Sequence, residues 1–277
     1  MSYDAEITRQ NPTAILFIID QSGSMSDRLS SERSKAQQVA DVLNKTLFNL
    51  IARCTKADGV RDYFDIGVIA YGNNGAYNGF GGTLSSNAIH QVSKIEASPV
   101  RVEDRKKKID DGAGGLVETS AKFPIWFEPQ ANGGTPMCEA MTKVAEELVM
   151  WCDTHPNSYP PTVLHITDGE STDGNPEEIV NQLKQITTNN GNVLVLNLHV
   201  SGSSMNPIEF PDSDSFLPDE YSKMLFRMSS NLPEHLAAAA KEKGFKISSE
   251  SKGFMFNADA SSIVEFFDIG TRPAQMR

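Results

Sequence analysis

Apolar runs that end in a polar residue alternate with segments of helical periodicity along this chain. Residues 14–19 are continuously apolar and are followed by Asp20, a pattern typical of a strand buried on both faces of a parallel sheet. Further strands are predicted at residues 63–71, 162–167, 192–200 and 253–256. Helices are predicted at residues 34–51, 136–151, 175–188, 233–243 and 259–269. The first two show apolar side chains at helical spacing, and the third begins with the N-cap and proline pair Asn175-Pro176.

Strands that alternate with helices predict the α/β fold class. We expect a doubly wound, Rossmann-like sheet that is mainly parallel and six-stranded, with one antiparallel edge strand and helices on both faces. No Pro/Gly/Ser-rich linker separates two halves that could each bury a core. We therefore expect one domain over residues 1–277, with its core at about 14–269.

Three parts of the chain depart from this alternation. Residues 72–82 are so rich in Gly and Asn that they predict a loop. Residues 83–130 are interpreted as an antiparallel edge strand plus an inserted hairpin, with short strands near 92–95 and 125–127. A second long loop, rich in Ser, Pro and Asp, is predicted at residues 201–218.

The charge balance bears on the class of partner. A net charge of −11 argues against nucleic acid, because binding to phosphates draws most of its energy from Lys and Arg. The dense basic run from Arg105 to Lys108 is followed at once by Asp110 and Asp111. We interpret it as a solvated loop or hairpin tip.

Cysteine usage and hydropathy bear on the compartment. Cys54, Cys138 and Cys152 show neither metal-ligand spacing nor an even disulfide framework, which favours reduced thiols. The first residues lack the apolar segment of a secretory signal, and no apolar run approaches the ~20 residues of a membrane span. We expect a cytoplasmic protein that binds neither a membrane nor nucleic acid.

Three short motifs lie where the predicted sheet would present them at one edge. The first strand ends in residues 20–24 (DQSGS), residues 133–135 (GGT) precede a helix, and another strand ends in residues 167–169 (TDG). Ligands gather outside the carboxyl ends of parallel strands. We therefore expect five side chains to converge there, those of Asp20, Ser22, Ser24, Thr135 and Asp168.

Two carboxylates and three hydroxyls, without nitrogen or sulfur, favour a hard cation over zinc or copper. Mg²⁺ suits such a set because it keeps several waters, and Mn²⁺ or Ca²⁺ are expected substitutes. One coordination position then remains for an outside ligand. With three neutral hydroxyls in the set, the ion keeps positive charge and should attract a carboxylate of a protein partner.

This pattern resembles the metal-ion-dependent adhesion site (MIDAS) of the von Willebrand factor A (vWA) family, over residues 14–269. The resemblance implies that Ser22, Ser24 and Thr135 bind the metal through their hydroxyls and that Asp20 and Asp168 act directly or through water. It also implies a mostly parallel sheet flanked by helices. The phrases IIDQSGSM and TDGE look most similar to intracellular bacterial members associated with tellurium resistance or encoded near protein phosphatases and kinases.

Residues around these motifs are candidates for the partner surface. Tyr77 and Phe80, on the loop predicted after the second strand, are expected to help form it, together with Gly134 and Glu170. For Glu170 and Asp173, a solvated loop with acidic capping residues before Asn175 is favoured over a direct role at the metal. The histidines are scattered and are interpreted as core or surface residues.

The leading functional hypothesis is a Mg²⁺-dependent binding module rather than an enzyme, in a bacterial stress-response or signalling complex with a phosphatase or kinase. One alternative is a Mg²⁺-dependent phosphohydrolase, which would need a second acidic group where this chain has Ser22. A serine hydrolase would require the motif Gly-x-Ser-x-Gly, which the residues around Ser22 do not match. An extracellular adhesion domain is the third possibility, and the unpaired cysteines and missing signal speak against it.

Overall fold

The computed structural model describes residues 3–29, 33–110, 116–201, 205–273 and 276, with the backbone alone at 107–110 and 116–119. Within these ranges the helices are α1 (Lys35–Cys54), α2 (Val92–Glu96), α3 (Met137–Thr154), α4 (Glu177–Leu183), α5 (Glu220–Met228), α6 (Glu234–Glu242) and α7 (Ala260–Gly270). The strands are β1 (Thr13–Asp20), β2 (Thr55–Lys56), β3 (Gly59–Val60), β4 (Phe64–Gly72), β5 (Gly75–Asn78), β6 (Ile89–Gln91), β7 (Arg101–Asp110), β8 (Leu116–Ile125), β9 (Thr162–Thr167), β10 (Thr187–Thr188), β11 (Gly191–Asn192), β12 (Leu194–Val200), β13 (Ile208–Glu209) and β14 (Phe254–Ala258).

The central sheet has the order β13-β14-β12-β9-β1-β4-β5, and β6 also pairs with β4. Its five longer strands, β14, β12, β9, β1 and β4, run parallel, whereas β5, β6 and β13 pair antiparallel. The predicted α/β class with a mostly parallel sheet is confirmed. The described sheet has eight strands instead of the expected six, because the three antiparallel strands are too short to leave a periodic signal.

β1 lies between β4 and β9, and all of its residues are buried. Its alternate side chains face two separate cores, in which α1, α6 and α7 cover one face of the sheet and α3, α4 and α5 the other. The parallel strands end together, so that Asp20, Gly72, Thr167 and Val200 lie along one border of the sheet. We call this border the carboxyl edge.

The inserted segment contains the expected hairpin, formed by β7 and β8 with Arg101 opposite Ile125. Two local predictions were wrong. Residues 92–95, expected as a strand, belong to helix α2, where Val92 and Ile95 are three positions apart and are both buried. The basic run belongs to β7 itself, and Arg105 pairs there with Asp41 and Glu103.

The Gly/Asn-rich segment at residues 72–82 was predicted as a loop, but it contains β5, which pairs with the last residues of β4. Backbone pairing in such a short strand needs no hydrophobic alternation, so the composition gave no sign of it. Among the described residues, none of the helices is both long and apolar enough to cross a membrane.

Candidate metal centre

Asp20 is fully buried at the end of β1, and its two carboxylate oxygens are held from different directions. Oδ1 accepts the backbone N–H of Ser22 at 2.8 Å, and Oδ2 accepts the hydroxyl of Thr167, the last residue of β9, at 2.7 Å. Burial raises the pKa of Asp20 to about 6, against the opposing effect of the hydrogen bonds from Ser22 and Thr167. A buried carboxylate of this kind is stabilised by a cation beside it.

Ser22 and Ser24 continue from Asp20 towards Asp168. After Ser22 the chain turns through a short 3-10 helix, Gly23–Ser26, which brings the two hydroxyl oxygens within 3.1 Å of each other. Ser24 Oγ then donates to Asp168 Oδ1 at 2.6 Å. The Asp168 side chain is fully buried, while Ser24 is exposed, so this chain of oxygens runs from the interior to the surface.

Thr135 reaches the same place from the segment before α3. A methyl group built on Gly169 would lie 3.6 Å from Ser24 Oγ and 3.8 Å from Thr135 Oγ1, so both hydroxyls face one point beside Asp168. Two reciprocal hydrogen bonds connect this segment to Thr172: Thr135 N–H donates to Thr172 Oγ1 at 3.0 Å, and Thr172 N–H donates to Thr135 O at 2.9 Å.

Gly133 explains how the Thr135 segment packs so closely. Its carbonyl accepts the N–H of Gly23 at 3.0 Å, which joins the segment to the turn after β1. Its φ of +74° lies in the left-handed region, and a Cβ there would approach Asn73 Cα to 2.3 Å. Only glycine fits at this position without a shift of the backbone beyond β4.

The structure therefore brings the five predicted side chains together at the carboxyl edge. Their hydroxyl and carboxylate oxygens are a donor set that suits a hard cation. Within the described ranges no three His, Cys, Asp or Glu side chains form a metal-binding cluster, so any ion here would depend on the hydroxyls and water as well. The residues fit Mg²⁺ in this respect, and their role as ligands stays a prediction.

Lys35 is a member of this site that sequence reasoning missed. It is the first residue of α1, after the Ser34 N-cap, and its Nζ lies 2.7 Å from Asp168 Oδ2. A cation is therefore already present on the carboxylate that would face the metal. The signal that could have found it is local: a lysine in the first turn of a helix opposes the helix dipole and needs an anionic partner.

The residues predicted for the partner surface differ in their surroundings. Phe80 is 2% exposed and packs edge-on against His90, so the prediction that it lies on that surface was wrong. Tyr77 is half-buried on β5, and its hydroxyl donates to Gln21 Oε1 next to the site. Gly134 and Glu170 are exposed beside the site, and their role in binding stays a prediction.

Asp173 has a structural role close to the site. Its carboxylate accepts the backbone N–H groups of Cys138 and Glu139, each at 2.9 Å, and so caps the N-terminus of α3. Acidic capping was expected at the helix predicted from residue 175; Asp173 instead caps α3 and so anchors the helix that follows Thr135.

A buried polar network lies below the site. The Tyr71 hydroxyl is 2.8 Å from His165 Nε2, and His165 Nδ1 is 2.8 Å from Asn197 Oδ1. Burial lowers the pKa of His165 to about 4, so the ring is neutral at pH 7. Asn197 Nδ2 donates to Ser229 Oγ, so Asn197 Oδ1 is the acceptor for the Nδ1 proton, and Tyr71 donates to Nε2. His165 is a core residue, as expected.

No family model matches the chain, and no curated protein is detectably similar to it in sequence. Among solved structures, the pilus adhesin SpaC from Lactobacillus rhamnosus GG is 11% identical, with a TM-score of 0.53 over 93% of this chain and 30% of its own. The manganese-loaded TRAP protein of Plasmodium vivax is 14% identical, with a TM-score of 0.36 over 68% of this chain and 57% of its own. The vWF domain of the type V pili tip protein Mfa5 from Porphyromonas gingivalis is 12% identical, with a TM-score of 0.33 over 58% of this chain and 39% of its own. The chain spans only part of each of these proteins, and its likeness to the pilus adhesin supports the α/β fold and nothing beyond the fold.

Proposed function

We propose that the site binds Mg²⁺ and that the bound ion holds an Asp or Glu side chain of a partner protein. The proposal rests on one observation: carboxylates and hydroxyls from three separate segments meet at the carboxyl edge and reach the surface at Ser24. Mn²⁺ or Ca²⁺ would substitute for Mg²⁺, since both accept oxygen ligands.

Each residue has a defined part in this proposal. Ser22, Ser24 and Thr135 would bind through their hydroxyls, while Asp20 and Asp168 would bind directly or through water. Because three of the five ligands are neutral hydroxyls, a bound ion would keep part of its positive charge. An acidic side chain entering beside exposed Gly134 and Glu170 would then complete its coordination.

Two measurements test the metal site. Isothermal titration with Mg²⁺ should show binding to the wild type and none to Asp20→Ala. Mg²⁺ at about 100 times its Kd should raise the free energy of unfolding of the wild type by roughly 2.7 kcal/mol. Asp58→Ala is the matched control, because Asp58 is exposed, pairs with Arg61, and lies in the turn between β2 and β3, outside the site. Equal Mg²⁺ binding by Asp20→Ala and the wild type would remove the proposal.

A pull-down in Mg²⁺ and in EDTA tests the partner. The proposal expects proteins retained in Mg²⁺ to be released by EDTA and not to bind Asp20→Ala. Retention that is unchanged by EDTA would show that the partner is held without the metal.

The biological setting is also a proposal. By the resemblance of its motifs, the protein would act in the cytoplasm as a non-enzymatic vWA module of the tellurium-resistance-associated type, in a stress-response complex with a phosphatase or kinase. Cell fractionation and mass spectrometry of the retained proteins test the compartment and the partner. Mg²⁺-dependent hydrolysis of a generic phosphate ester that is lost in Asp20→Ala would favour the phosphohydrolase instead.

A further inference from the structure

Lys35 is an unusual residue for the place it occupies. Its side chain is only 9% exposed, and its ammonium lies 2.7 Å from Asp168 Oδ2, a carboxylate with no exposed surface. Burial of an ammonium is unfavourable, and the N-terminus of a helix adds a like-signed partial charge. The contact with Asp168 offsets both effects, so Asp168 is what holds Lys35 in this position.

The same contact occupies one oxygen of the carboxylate that would face the metal. Asp168 Oδ1 already accepts the Ser24 hydroxyl, and Oδ2 accepts Lys35. An ion entering within ligand distance of Asp168 would lie a few ångströms from the ammonium, where two positive charges repel strongly because little water screens them. The ammonium also cancels one of the two carboxylate charges of the site, which lowers its attraction for a divalent cation.

A second acceptor lies within reach of the displaced side chain. Lys35 Nζ is 3.7 Å from Asp27 Oδ2, and the Asp27 side chain is 68% exposed. The Lys35 ammonium could therefore leave Asp168 without losing every anionic partner, by moving towards Asp27 and solvent. Asp27 is attached to the same region, since its carbonyl accepts the backbone N–H of Lys35 at 2.9 Å.

We propose that Lys35 is a built-in counter-ion that occupies Asp168 in the metal-free protein and that a divalent cation must displace it towards Asp27. Lys35 thereby weakens the affinity of the site for a divalent cation. This inference rests on the proposed function, because it concerns the same metal site.

Isothermal titration of Lys35→Met with Mg²⁺ tests the competition. Methionine keeps the length and much of the packing of the side chain but removes its charge. We expect the Kd for Mg²⁺ to fall by at least about tenfold. Lys45→Met is the matched control, since Lys45 is exposed on the same helix and its replacement removes the same charge; its Kd should match that of the wild type. An unchanged or higher Kd for Lys35→Met would overturn the proposal.

If Lys35→Met does not fold in the absence of metal, a measurement on the wild type tests the same displacement of Lys35. Amine acetylation with an N-hydroxysuccinimide ester, mapped by mass spectrometry in EDTA and in saturating Mg²⁺, reports the accessibility of Lys35. We expect Mg²⁺ to raise its modification several-fold while Lys45 stays constant. Modification of Lys35 that does not respond to bound Mg²⁺ would overturn displacement.

The two proposals fail in distinguishable ways. Absence of Mg²⁺ binding by both the wild type and Lys35→Met would overturn the metal site and the counter-ion together. Mg²⁺ binding by the wild type, without tighter binding by Lys35→Met and without a change in Lys35 labelling, would overturn only the counter-ion. Mg²⁺ binding by Lys35→Met but not by the wild type would support the competition between Lys35 and the metal. It would contradict the proposal that the wild-type protein binds Mg²⁺.

Discussion

Thr135 and Thr172 are joined by two reciprocal hydrogen bonds, in which each residue donates its backbone N–H to the other, at 3.0 and 2.9 Å. One bond uses the Thr172 hydroxyl as acceptor and the other the Thr135 carbonyl. Since Thr135 ends one motif of the site and Thr172 follows Asp168 by four residues, these bonds hold two of its three segments together. The position of Thr135 therefore depends on a residue outside the motifs.

Thr172→Val tests this dependence. Valine has the shape of threonine but cannot accept the N–H of Thr135, in a hydrogen bond that is partly buried. We expect the free energy of unfolding to fall by about 0.5–1.5 kcal/mol and the affinity for Mg²⁺ to fall by about tenfold. Urea unfolding and isothermal titration measure the two effects.

Thr142→Val provides the control for that change. The Thr142 hydroxyl donates to Cys138 O on the exposed surface of α3, so its loss should change stability by less than about 0.5 kcal/mol. Equal effects of Thr142→Val and Thr172→Val on Mg²⁺ affinity would contradict a specific role for Thr172.

Gly133→Ala should disrupt the packing of the Thr135 segment. Alanine would carry the strain of a φ of +74° and would also place its Cβ 2.3 Å from Asn73 Cα. We expect a loss of stability above about 3 kcal/mol in urea unfolding. Gly244→Ala separates the two causes, because Gly244 has a φ of +91° but no atom within 4 Å of the added methyl, and should lose only about 1 kcal/mol. Similar losses in both variants would show that contact with Asn73 is unimportant.

Phe80→Ala should act on stability rather than on a binding surface. Phe80 is 2% exposed in the core, so its truncation should lower the free energy of unfolding by about 3–5 kcal/mol. Phe216→Ala is the control, because Phe216 is 80% exposed and its truncation should change stability by less than about 0.5 kcal/mol. A stable Phe80→Ala protein that fails only in partner binding would restore the original assignment of Phe80 to the partner surface.

Three buried or partly buried histidines should make the protein less stable in mild acid. Burial lowers the pKa values of His165, His199 and His235 to about 4, below the 6.5 of a free histidine. Between pH 6.5 and about 4 the unfolded chain therefore binds more protons than the folded one. Their stabilising contribution is complete above pH 6.5 and is lost as the pH falls through this window.

Urea unfolding of the wild type and His235→Gln, at intervals from pH 7.5 to 4.5, isolates one of these contributions. His235 lies edge-on to Tyr159, and glutamine keeps a polar side chain there without a group that titrates in this range. We expect a shallower decline in stability for the variant. Parallel pH profiles would show that His235 does not contribute.

Several features of the site could be predicted because they are local. The apolar run of β1 ends at Asp20 and that of β9 is followed by Asp168, so the parallel arrangement of the strands already predicts that both carboxylates lie at the carboxyl edge. The placement of Thr135 beside them followed from the position of its Gly-Gly-Thr motif directly before a helix and not from periodicity.

Other features could not be predicted from the sequence, and each has its own physical reason. β5 depends on backbone pairing with the end of β4, which leaves no hydrophobic signature in a Gly/Asn-rich segment. Phe80 stands among glycines and looked like a surface residue, yet its ring packs into the core beside His90. Composition reports the average environment of a segment, whereas the burial of one side chain depends on which distant residues pack against it.

By itself the sequence determined the alternation of strands and helices, the α/β class and the two aspartates at the ends of β1 and β9, because burial periodicity and strand ends are properties of consecutive residues. Only the tertiary structure decided that Lys35 lies on Asp168, since that ion pair joins positions 133 residues apart and depends on how α1 packs against the carboxyl edge. No local pattern specifies which of the chain's carboxylates a lysine at a helix N-terminus will meet.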